Sequence, residues 1–195
     1  LAMASSQALR TVLDKRLNLG MAQRLGVPCP RQFQMEHPEQ IPRLIEELGF
    51  PLVMKPPGSR LDPSVPGHFP FKVLYPKTEE ELRGFISKYC TEGVYPLFQE
   101  YASGEMHNLC CFAATGETFA VHEYRSLRRL PLTGGVGVLR EIIPAHPDAE
   151  RYARIMLKEL QWDGVAHVAF VMNSKRGKMW YMETNGRFWA STEGS

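Results

Sequence analysis

Three patterns that would point to export, membrane insertion or a structural metal are missing from this sequence. No apolar run is long enough for a helix that spans a bilayer. The first ten residues lack the basic-then-apolar pattern of a secretory signal. The four cysteines show no C-x-x-C spacing, so a zinc site built from them is not expected. We therefore predict reduced, buried thiols in a cytoplasmic protein without a membrane partner.

A strong excess of one charge is also missing. The chain has 23 Lys and Arg residues and 21 Asp and Glu residues, which leaves a net charge of +2. Strongly basic chains are the ones that bind nucleic acid or anionic membranes by charge alone, so neither is a predicted partner. What the chain does have is 44% hydrophobic residues over 195 positions, enough for one good core or two small ones.

The first half of the sequence alternates helical and extended patterns. Apolar residues recur with helical spacing in three segments, which predicts helices over 11–25, 38–49 and 78–89. Short apolar runs predict strands over 51–55 and 71–75. The segment 56–70 holds five prolines, so we predict an irregular loop there, long enough to serve as a lid or binding loop.

The second half is rich in strands. The apolar pattern predicts one helix over 147–161 and strands over 96–101, 106–114, 118–126, 138–143, 164–172 and 178–184, with a hairpin turn at Thr115-Gly116. This layout favours an α+β fold with two subdomains over a single βαβ sheet. The predicted division is a helical lead-in over 1–30, a small subdomain over 31–95 and a large subdomain over 96–195.

Glu183 and Asn185 are the most informative polar residues. Residues i and i+2 of a strand point to the same face, so both side chains are expected on one side of the last strand. A carboxylate beside an amide oxygen suits Mg²⁺ held together with substrate phosphates. Lys55 ends an apolar strand and is a candidate to neutralise such phosphates, although a lysine that only extends its charge into solvent fits the same pattern.

Two further segments carry possible ligand contacts. Residues 99–105 place two acids around a turn, as in an adenine hinge with a ribose-binding carboxylate, but an edge strand with a polar turn has the same pattern. Four arginines flank Gly134-Gly135 and suit phosphate or carboxylate anions, or form a solvated basic loop: Arg125, Arg128, Arg129 and Arg140. The six histidines are scattered, and we interpret each as structural or surface-exposed.

In this order, the pieces resemble the ATP-grasp superfamily of ATP-dependent carboxylate ligases. The resemblance is strongest to its carbamoyl-phosphate-synthase-like branch and to predicted carboligases, and it covers residues 12–191. The matching positions are Asp14-Lys15, Gly26-Val27-Pro28, Pro30, Gly49-Phe50-Pro51, Val53, Lys55, Pro56, Gln99-Glu100-Tyr101, Gly104, Glu105, Glu183, Asn185, Arg187, Phe188, Trp189 and Ser191.

The resemblance implies an ATP-grasp fold, with the nucleotide bound between two α+β subdomains, and a role for each matched residue. Lys15 and Lys55 would contact the phosphates. Glu100, Tyr101 and Ala102 would form the adenine hinge, and Glu105 would hold the ribose. The remaining roles are metal ligation (Mg²⁺ or Mn²⁺) by Glu183 and Asn185, and contact with the reacting phosphate or the acceptor by Arg187, Arg125 and Arg140.

The resemblance also implies the reaction. ATP would phosphorylate a small-molecule carboxylate, and an amine or another nucleophile would then displace phosphate, with catalysis by positioning and charge neutralisation. Many relatives are dimers, so a homodimer is a possible state. The alternatives are a degenerate ATP-grasp module that binds nucleotide without ligase activity, and a plain α+β domain with no site.

Four departures from the family pattern stand out. Ala169 occupies a position that normally carries an acid or Gln as a further metal ligand, and neighbouring His167 is a poor substitute for it. The loop after Lys55 is rich in proline instead of glycine. Gly186 replaces the usual proline before Arg187. The domain that usually precedes this fold is absent from the sequence and the chain stops just past the motif, so we expect a fragment.

Overall fold

The structure is a computed structural model that describes residues 3–58, 69–90, 93–130 and 136–188. The chain divides into two compact units, one of residues 30–102 and one of residues 1–29 with 103–195. Both units combine helices with antiparallel strands, which confirms the predicted α+β class. No helix in the described ranges is long and apolar enough to cross a membrane.

The 30–102 unit holds a three-stranded sheet, in the order β1-β3-β2. Its strands are β1 (Gln32–Phe33), β2 (Leu52–Lys55) and β3 (Leu97–Glu100), and its helices are α3 (Ile41–Leu48) and α4 (Glu79–Tyr89). The predicted helix over 38–49 is confirmed as a 3-10 turn that continues into α3 and ends at Gly49, whose φ of 70° is the left-handed conformation that glycine favours.

The strand predicted over 71–75 is wrong. Within residues 71–75, all of which the structure describes, only Leu74 pairs with the sheet. It forms two backbone hydrogen bonds of 2.9 Å with Met54. The apolar residues that suggested a strand pack as ring contacts instead, because the Phe71 ring lies 5.4 Å from Phe69 and 5.2 Å from Tyr89. Most of the proline-rich loop predicted over 56–70 lies outside the described residues.

The other unit is built on a five-stranded antiparallel sheet in the order β6-β5-β4-β7-β8. The strands are β4 (Glu105–Ala114), β5 (Glu117–Leu130), β6 (Val136–Ile143), β7 (Gly164–Asn173) and β8 (Lys178–Asn185). The helices are α1 (Ser6–Leu13), α2 (Lys15–Arg24) and α5 (Pro147–Glu159). The predicted hairpin turn is confirmed, since Thr115 and Gly116 both have positive φ.

The single helix predicted over 11–25 is wrong, because Asp14 divides it into α1 and α2. Asp14 has extended backbone angles, and its carboxylate accepts hydrogen bonds from the backbone N–H groups of Arg16 and Leu17. Aspartate is a strong N-cap residue, so it ends one helix and begins the next. The apolar spacing runs through this break and therefore concealed it.

A β-bulge in β8 sets the orientation of the strand's last residues. Ala169 pairs with Glu183, but the next residue of β7, Phe170, pairs with Tyr181, which leaves Met182 as an extra residue. Tyr181 and Glu183 therefore point to opposite faces although they are two positions apart. Tyr181 faces α2, where its hydroxyl donates to Asn18 at 2.6 Å and contacts the Thr184 hydroxyl at 2.7 Å.

Candidate functional site

The face of the large sheet that points away from the Tyr181–Asn18 contact carries three of the predicted site residues of this unit: Glu183, Asn185 and Arg140. Pairing across the strands places Tyr124, Asn108, Ala169 and Glu183 in one row. The next row contains His122, Cys110, His167 and Asn185. Residues that are directly opposite in a ladder share a face, so these two rows lie on the same side of the sheet. We call this surface the β8 site face.

Glu183 and Asn185 lie together on the β8 site face, as the strand periodicity predicted. The Asn185 side-chain N–H donates to a carboxylate oxygen of Glu183 at 2.9 Å. Both side chains are half-buried. The hydrogen bond uses the amide nitrogen of Asn185, so its amide oxygen is the atom that a cation would contact. The bulge that precedes the pair determines which face of the sheet both side chains occupy.

The donor set on this face fits a divalent metal that takes most of its ligands from phosphate and water. Ala169 lies directly opposite Glu183 and supplies no ligand, so the departure from the family pattern falls at the centre of the site. In the described part of the chain no group of three His, Cys, Asp or Glu side chains is arranged to hold a metal ion. One carboxylate and one amide remain, a set typical of Mg²⁺ held together with a nucleotide.

Lys15 belongs to the same neighbourhood. It is the first residue of α2, a helix that contacts β8, and burial lowers the pKa of its ammonium group while attraction to Glu183 and then Asp14 opposes that change. A half-buried lysine beside a carboxylate is a fixed positive charge that can contact phosphate. The structure therefore brings together two residues that are 168 positions apart and that the resemblance assigned to one nucleotide.

A second cluster on the β8 site face consists of His167, Tyr124 and Arg140. The Tyr124 hydroxyl lies 3.0 Å from Nε2 of His167, and the two rings are stacked with centroids 6.0 Å apart. The Arg140 guanidinium lies 5.5 Å from the centre of the Tyr124 ring, within cation-π range. We interpreted the histidines as structural from the sequence. Strand alternation could have identified His167, because it places this residue on the same face of β7 as Ala169.

The electrostatics of this cluster keep the imidazole neutral. The pKa of His167 is lowered to about 4, chiefly by burial; Glu183 opposes this change, and the positive charges of Arg187 and Arg140 act with burial. His167 therefore carries one ring proton at neutral pH. Its Nδ1 atom and the Nε atom of Arg140 are both buried without a hydrogen-bond partner among the described residues.

Arg125 does not join this cluster. It pairs with Glu141 on β6, one residue from Arg140, so the two arginines lie on opposite faces of the sheet. Its guanidinium donates to Glu141 at 2.7 Å and lies 3.5 Å from the Glu105 carboxylate. Glu105, predicted to hold a ribose, is thus an ion-pair partner of Arg125 here. Arg187 is exposed and donates to the Phe188 carbonyl at 3.2 Å.

The predicted residues of the 30–102 unit occupy the paired strands β2 and β3. Lys55 pairs with Leu97 and Glu100 pairs with Leu52, so Lys55 and Glu100 lie at opposite ends of this ladder. The Glu100 carboxylate accepts two hydrogen bonds from Arg31, at 3.1 and 3.2 Å. Tyr101 is 44% exposed, and Ala102 follows it at the end of the unit. Gly134-Gly135, Trp189 and Ser191 lie outside the described residues.

A buried acid, Glu123, forms a hydrogen-bond network on the other face of the sheet. Glu123 is fully buried, and its carboxylate contacts Nδ1 of His107 at 2.5 Å and accepts from the His146 backbone N–H at 2.6 Å. These bonds tie β4, β5 and the start of α5 to one carboxylate. No sequence pattern singles out Glu123, because its partners His107 and His146 lie 16 and 23 positions away in the chain.

The glycine that replaces the family proline at position 186 has a packing reason. A Cβ atom at this position would lie 2.8 and 2.9 Å from two carbons of the Trp162 ring. Trp162 is 1% exposed, and its indole N–H donates to the Val165 carbonyl at 3.1 Å, so the ring has little freedom to move. Any side chain at position 186 would therefore displace a fixed aromatic residue.

The fold recurs in solved structures. One is N5-carboxyaminoimidazole synthase from Aspergillus clavatus, in complex with ADP and 5-aminoimidazole ribonucleotide: the TM-score is 0.73, the identity 13%, and the match covers 97% of this chain and 48% of that chain. Another is D-alanine–D-alanine ligase from Bacillus anthracis, with a TM-score of 0.68, 16% identity, and 95% and 59% coverage.

A third similar structure is N5-carboxyaminoimidazole ribonucleotide synthetase from Thermus thermophilus, with a TM-score of 0.72, 20% identity, and 97% and 49% coverage. The chain thus spans about half the length of the solved proteins that it matches. No protein-family model and no curated protein sequence matches it. These similarities confirm the fold that the ordered motifs predicted: the chain has the ATP-grasp fold.

Proposed function

We propose that this chain is the ATP-binding core of an ATP-dependent carboxylate–amine, or carboxylate–nucleophile, ligase. One observation carries the proposal: the Glu183–Asn185 pair stands on one face of β8, beside half-buried Lys15, within an ATP-grasp fold. A carboxylate, an amide oxygen and a lysine are the groups that hold a metal–triphosphate. Similar folds are recorded with ADP and with ATP, which supports ATP as the nucleotide.

In this proposal each residue has one task. Glu183 and Asn185 ligate Mg²⁺ or Mn²⁺, which when bound neutralises phosphate charge. Lys15 and Lys55 contact the phosphates. Glu100, Tyr101 and Ala102 contact the adenine, Glu105 holds the ribose, and Arg187 faces the reacting phosphate. Arg140 is a candidate contact for phosphate or acceptor from the β8 site face. Arg125 is a weaker candidate, because it lies on the other face in an ion pair with Glu141.

The resemblance to ATP-grasp ligases implies the reaction. A substrate carboxylate attacks the terminal phosphorus of ATP, ADP leaves, and an acyl phosphate results. An amine or another nucleophile then attacks the acyl carbon and displaces phosphate. The first step moves negative charge from the carboxylate to the departing ADP, and the second develops it on the acyl oxygen and the departing phosphate. Fixed cations therefore accelerate both steps by electrostatic stabilisation. Lys15 supplies such a positive charge beside Glu183, and Arg187 would supply another at the reacting phosphate.

A second candidate function is a nucleotide-binding module without ligase activity. It is favoured by Ala169, which faces Glu183 where the family places another metal ligand. Loss of one ligand weakens metal binding but leaves most of the nucleotide contacts. The two candidates agree on nucleotide binding and differ only in turnover.

The first test is thermal unfolding of the 195-residue chain with and without Mg·ATP. A ligand that binds only the folded state stabilises it by about 2.7 kcal/mol at a hundredfold excess over Kd, so we expect a rise in Tm that depends on Mg²⁺. An unchanged Tm at millimolar Mg·ATP contradicts the proposed function. Release of ADP with mixtures of carboxylates and amines separates the ligase from the binding module.

A further inference from the structure

The β8 site face contains two buried nitrogen atoms that have no hydrogen-bond partner among the described residues: Nδ1 of His167 and Nε of Arg140. His167 is 8% exposed, so its ring cannot satisfy Nδ1 with bulk water. Buried donors in folded proteins are nearly always paired, and an unpaired one costs about 1–3 kcal/mol. Two such atoms in one cluster indicate an acceptor that the protein itself does not supply.

The direction of the hydrogen bond with Tyr124 and the tautomer of His167 are linked, because only one ring nitrogen of a neutral imidazole carries a proton. When the Tyr124 hydroxyl donates to Nε2 across the 3.0 Å contact, the single ring proton lies on Nδ1. Both unpartnered atoms, Nδ1 of His167 and Nε of Arg140, are then N–H donors. Tyr124 also supports Arg140, whose guanidinium lies over the tyrosine ring. One tyrosine thus orients both donors.

We propose that His167 and Arg140, oriented by Tyr124, bind an oxyanion on the β8 site face. The inference rests on the proposed function and extends it, because a carboxylate or phosphoryl oxygen of the substrate is the acceptor that these two N–H groups lack. A guanidinium and a neutral N–H suit an oxygen anion, and neither group accepts a hydrogen bond in this state. His167 is therefore a substrate-binding residue.

Ala169 is part of the same arrangement. It lies two residues after His167 and faces Glu183 across the strand pair. An acid at position 169 would place a second carboxylate near the oxyanion and repel it. Alanine at this position carries no such charge. The residue that departs from the family metal pattern is thus the residue that allows an anion to approach this histidine.

The test uses the wild-type chain with ¹⁵N-labelled histidine and follows the ring nitrogens of His167 by NMR. We expect the Nδ1–H form in the free protein, and a saturable shift of Nδ1 with sodium formate, with inorganic phosphate, or with both. A response to formate alone assigns the site to a carboxylate, and a response to phosphate alone assigns it to a phosphoryl group. An Nε2–H form, or no shift with either anion, overturns the inference.

Matched variants then separate a binding role from a structural one. Asparagine places its N–H where Nδ1 stands and glutamine places it where Nε2 stands, so His167→Asn should retain oxyanion affinity and His167→Gln should lose about tenfold. Ala169→Glu should weaken oxyanion binding about tenfold and strengthen Mg²⁺ binding. Equal affinity in all three variants contradicts the proposal.

A control keeps this inference distinct from the proposed function. Binding of an ATP analogue with Mg²⁺ is measured on the same samples. If the analogue binds and neither anion moves the His167 signal, the oxyanion site is wrong and the nucleotide site remains. If an anion binds and the analogue does not, the proposed function is wrong and the oxyanion site remains.

Discussion

At the scale of single residues, the candidate site depends on side chains whose surroundings change their chemistry. Lys15 and His167 are each pushed by burial toward the neutral form, and Glu183 counteracts that change in both. One carboxylate thus tunes two groups that come from different elements. Strand periodicity identified Glu183 as a candidate, and the family resemblance identified Lys15. The charge coupling between them depends on α2 packing against β8, which only the folded chain shows.

Replacement of Lys15 by glutamine should reduce nucleotide affinity while the fold remains stable. The substitution removes a half-buried charge, so the free energy of unfolding should change by less than about 1 kcal/mol. Loss of a phosphate contact should weaken binding of an ATP analogue at least tenfold. The matched control is Arg16→Gln on the next residue, which is exposed and pairs with Asp14. Equal affinity in both variants contradicts the assignment of Lys15.

The buried thiols of Cys110 and Cys111 predict a loss of stability at high pH. Burial raises the pKa of each thiol from 9.0 to about 12. The thiols of the unfolded chain ionise first as the pH rises, and ionisation stabilises the unfolded state. The free energy of unfolding is therefore unaffected by the thiols below pH 9 and falls as the pH rises toward 12. Urea unfolding should show a loss of about 1 to 2 kcal/mol per thiol near pH 10.

The control for the thiols is the double variant Cys110→Ala, Cys111→Ala. Its free energy of unfolding should change less between pH 7.5 and pH 10 than that of the wild type. The same two thiols should resist a thiol reagent at pH 8 until urea unfolds the chain. Equal pH dependence in both proteins would show that other groups cause the loss.

At the scale of elements, β8 is the strand that organises the site, and its bulge is the decisive feature. Strand alternation correctly predicted that Glu183 and Asn185 share a face. The same rule wrongly places Tyr181 with them, because a single extra residue reverses the face and leaves no mark in a hydrophobicity pattern. The break at Asp14 was missed for a similar reason: a side-chain cap overrode a continuous apolar spacing.

Removal of the Tyr181 hydroxyl tests whether this network fixes β8 on α2. In Tyr181→Phe the oxygen atoms of Asn18 and Thr184 lose their buried partner, which should lower the free energy of unfolding by about 1–3 kcal/mol. Tyr152→Phe, on the half-buried surface of α5, should change it by less than about 0.5 kcal/mol. Similar values for the two variants in urea denaturation would contradict this account of the network.

Gly186 offers a second test at this scale. Gly186→Ala places a methyl group against the Trp162 ring, and such overpacking should lower the free energy of unfolding by about 1–3 kcal/mol. The control is Gly20→Ala within α2, where a methyl group meets no atom within 4 Å. Alanine in a helix should stabilise the chain there by about 0.5–1 kcal/mol. A lower Tm for Gly186→Ala together with a higher Tm for Gly20→Ala supports the packing explanation, and an unchanged or higher Tm for Gly186→Ala contradicts it.

At the scale of the whole molecule, the ordered motifs were enough to predict the fold, and most strands and helices fell where the apolar pattern placed them. The predicted domain limits at residues 30 and 95 remain a prediction, and the division by contacts assigns α1 and α2 to the unit of the large sheet. Within that unit, α1 and α2 both contact β8, and Asn18 of α2 accepts a hydrogen bond from the Tyr181 hydroxyl. The substrate was not predictable, because no motif in this chain specifies the carboxylate or the nucleophile.

The central claim is that Glu183 and Asn185 hold a metal–nucleotide. The most direct measurement is calorimetric titration of a non-hydrolysable ATP analogue into the wild-type chain and into Glu183→Gln, with and without Mg²⁺. We predict binding near one to one, at least tenfold tighter with Mg²⁺, and loss of that metal dependence in the variant. No binding at millimolar analogue, or equal affinity with and without Mg²⁺ in both proteins, would contradict the claim.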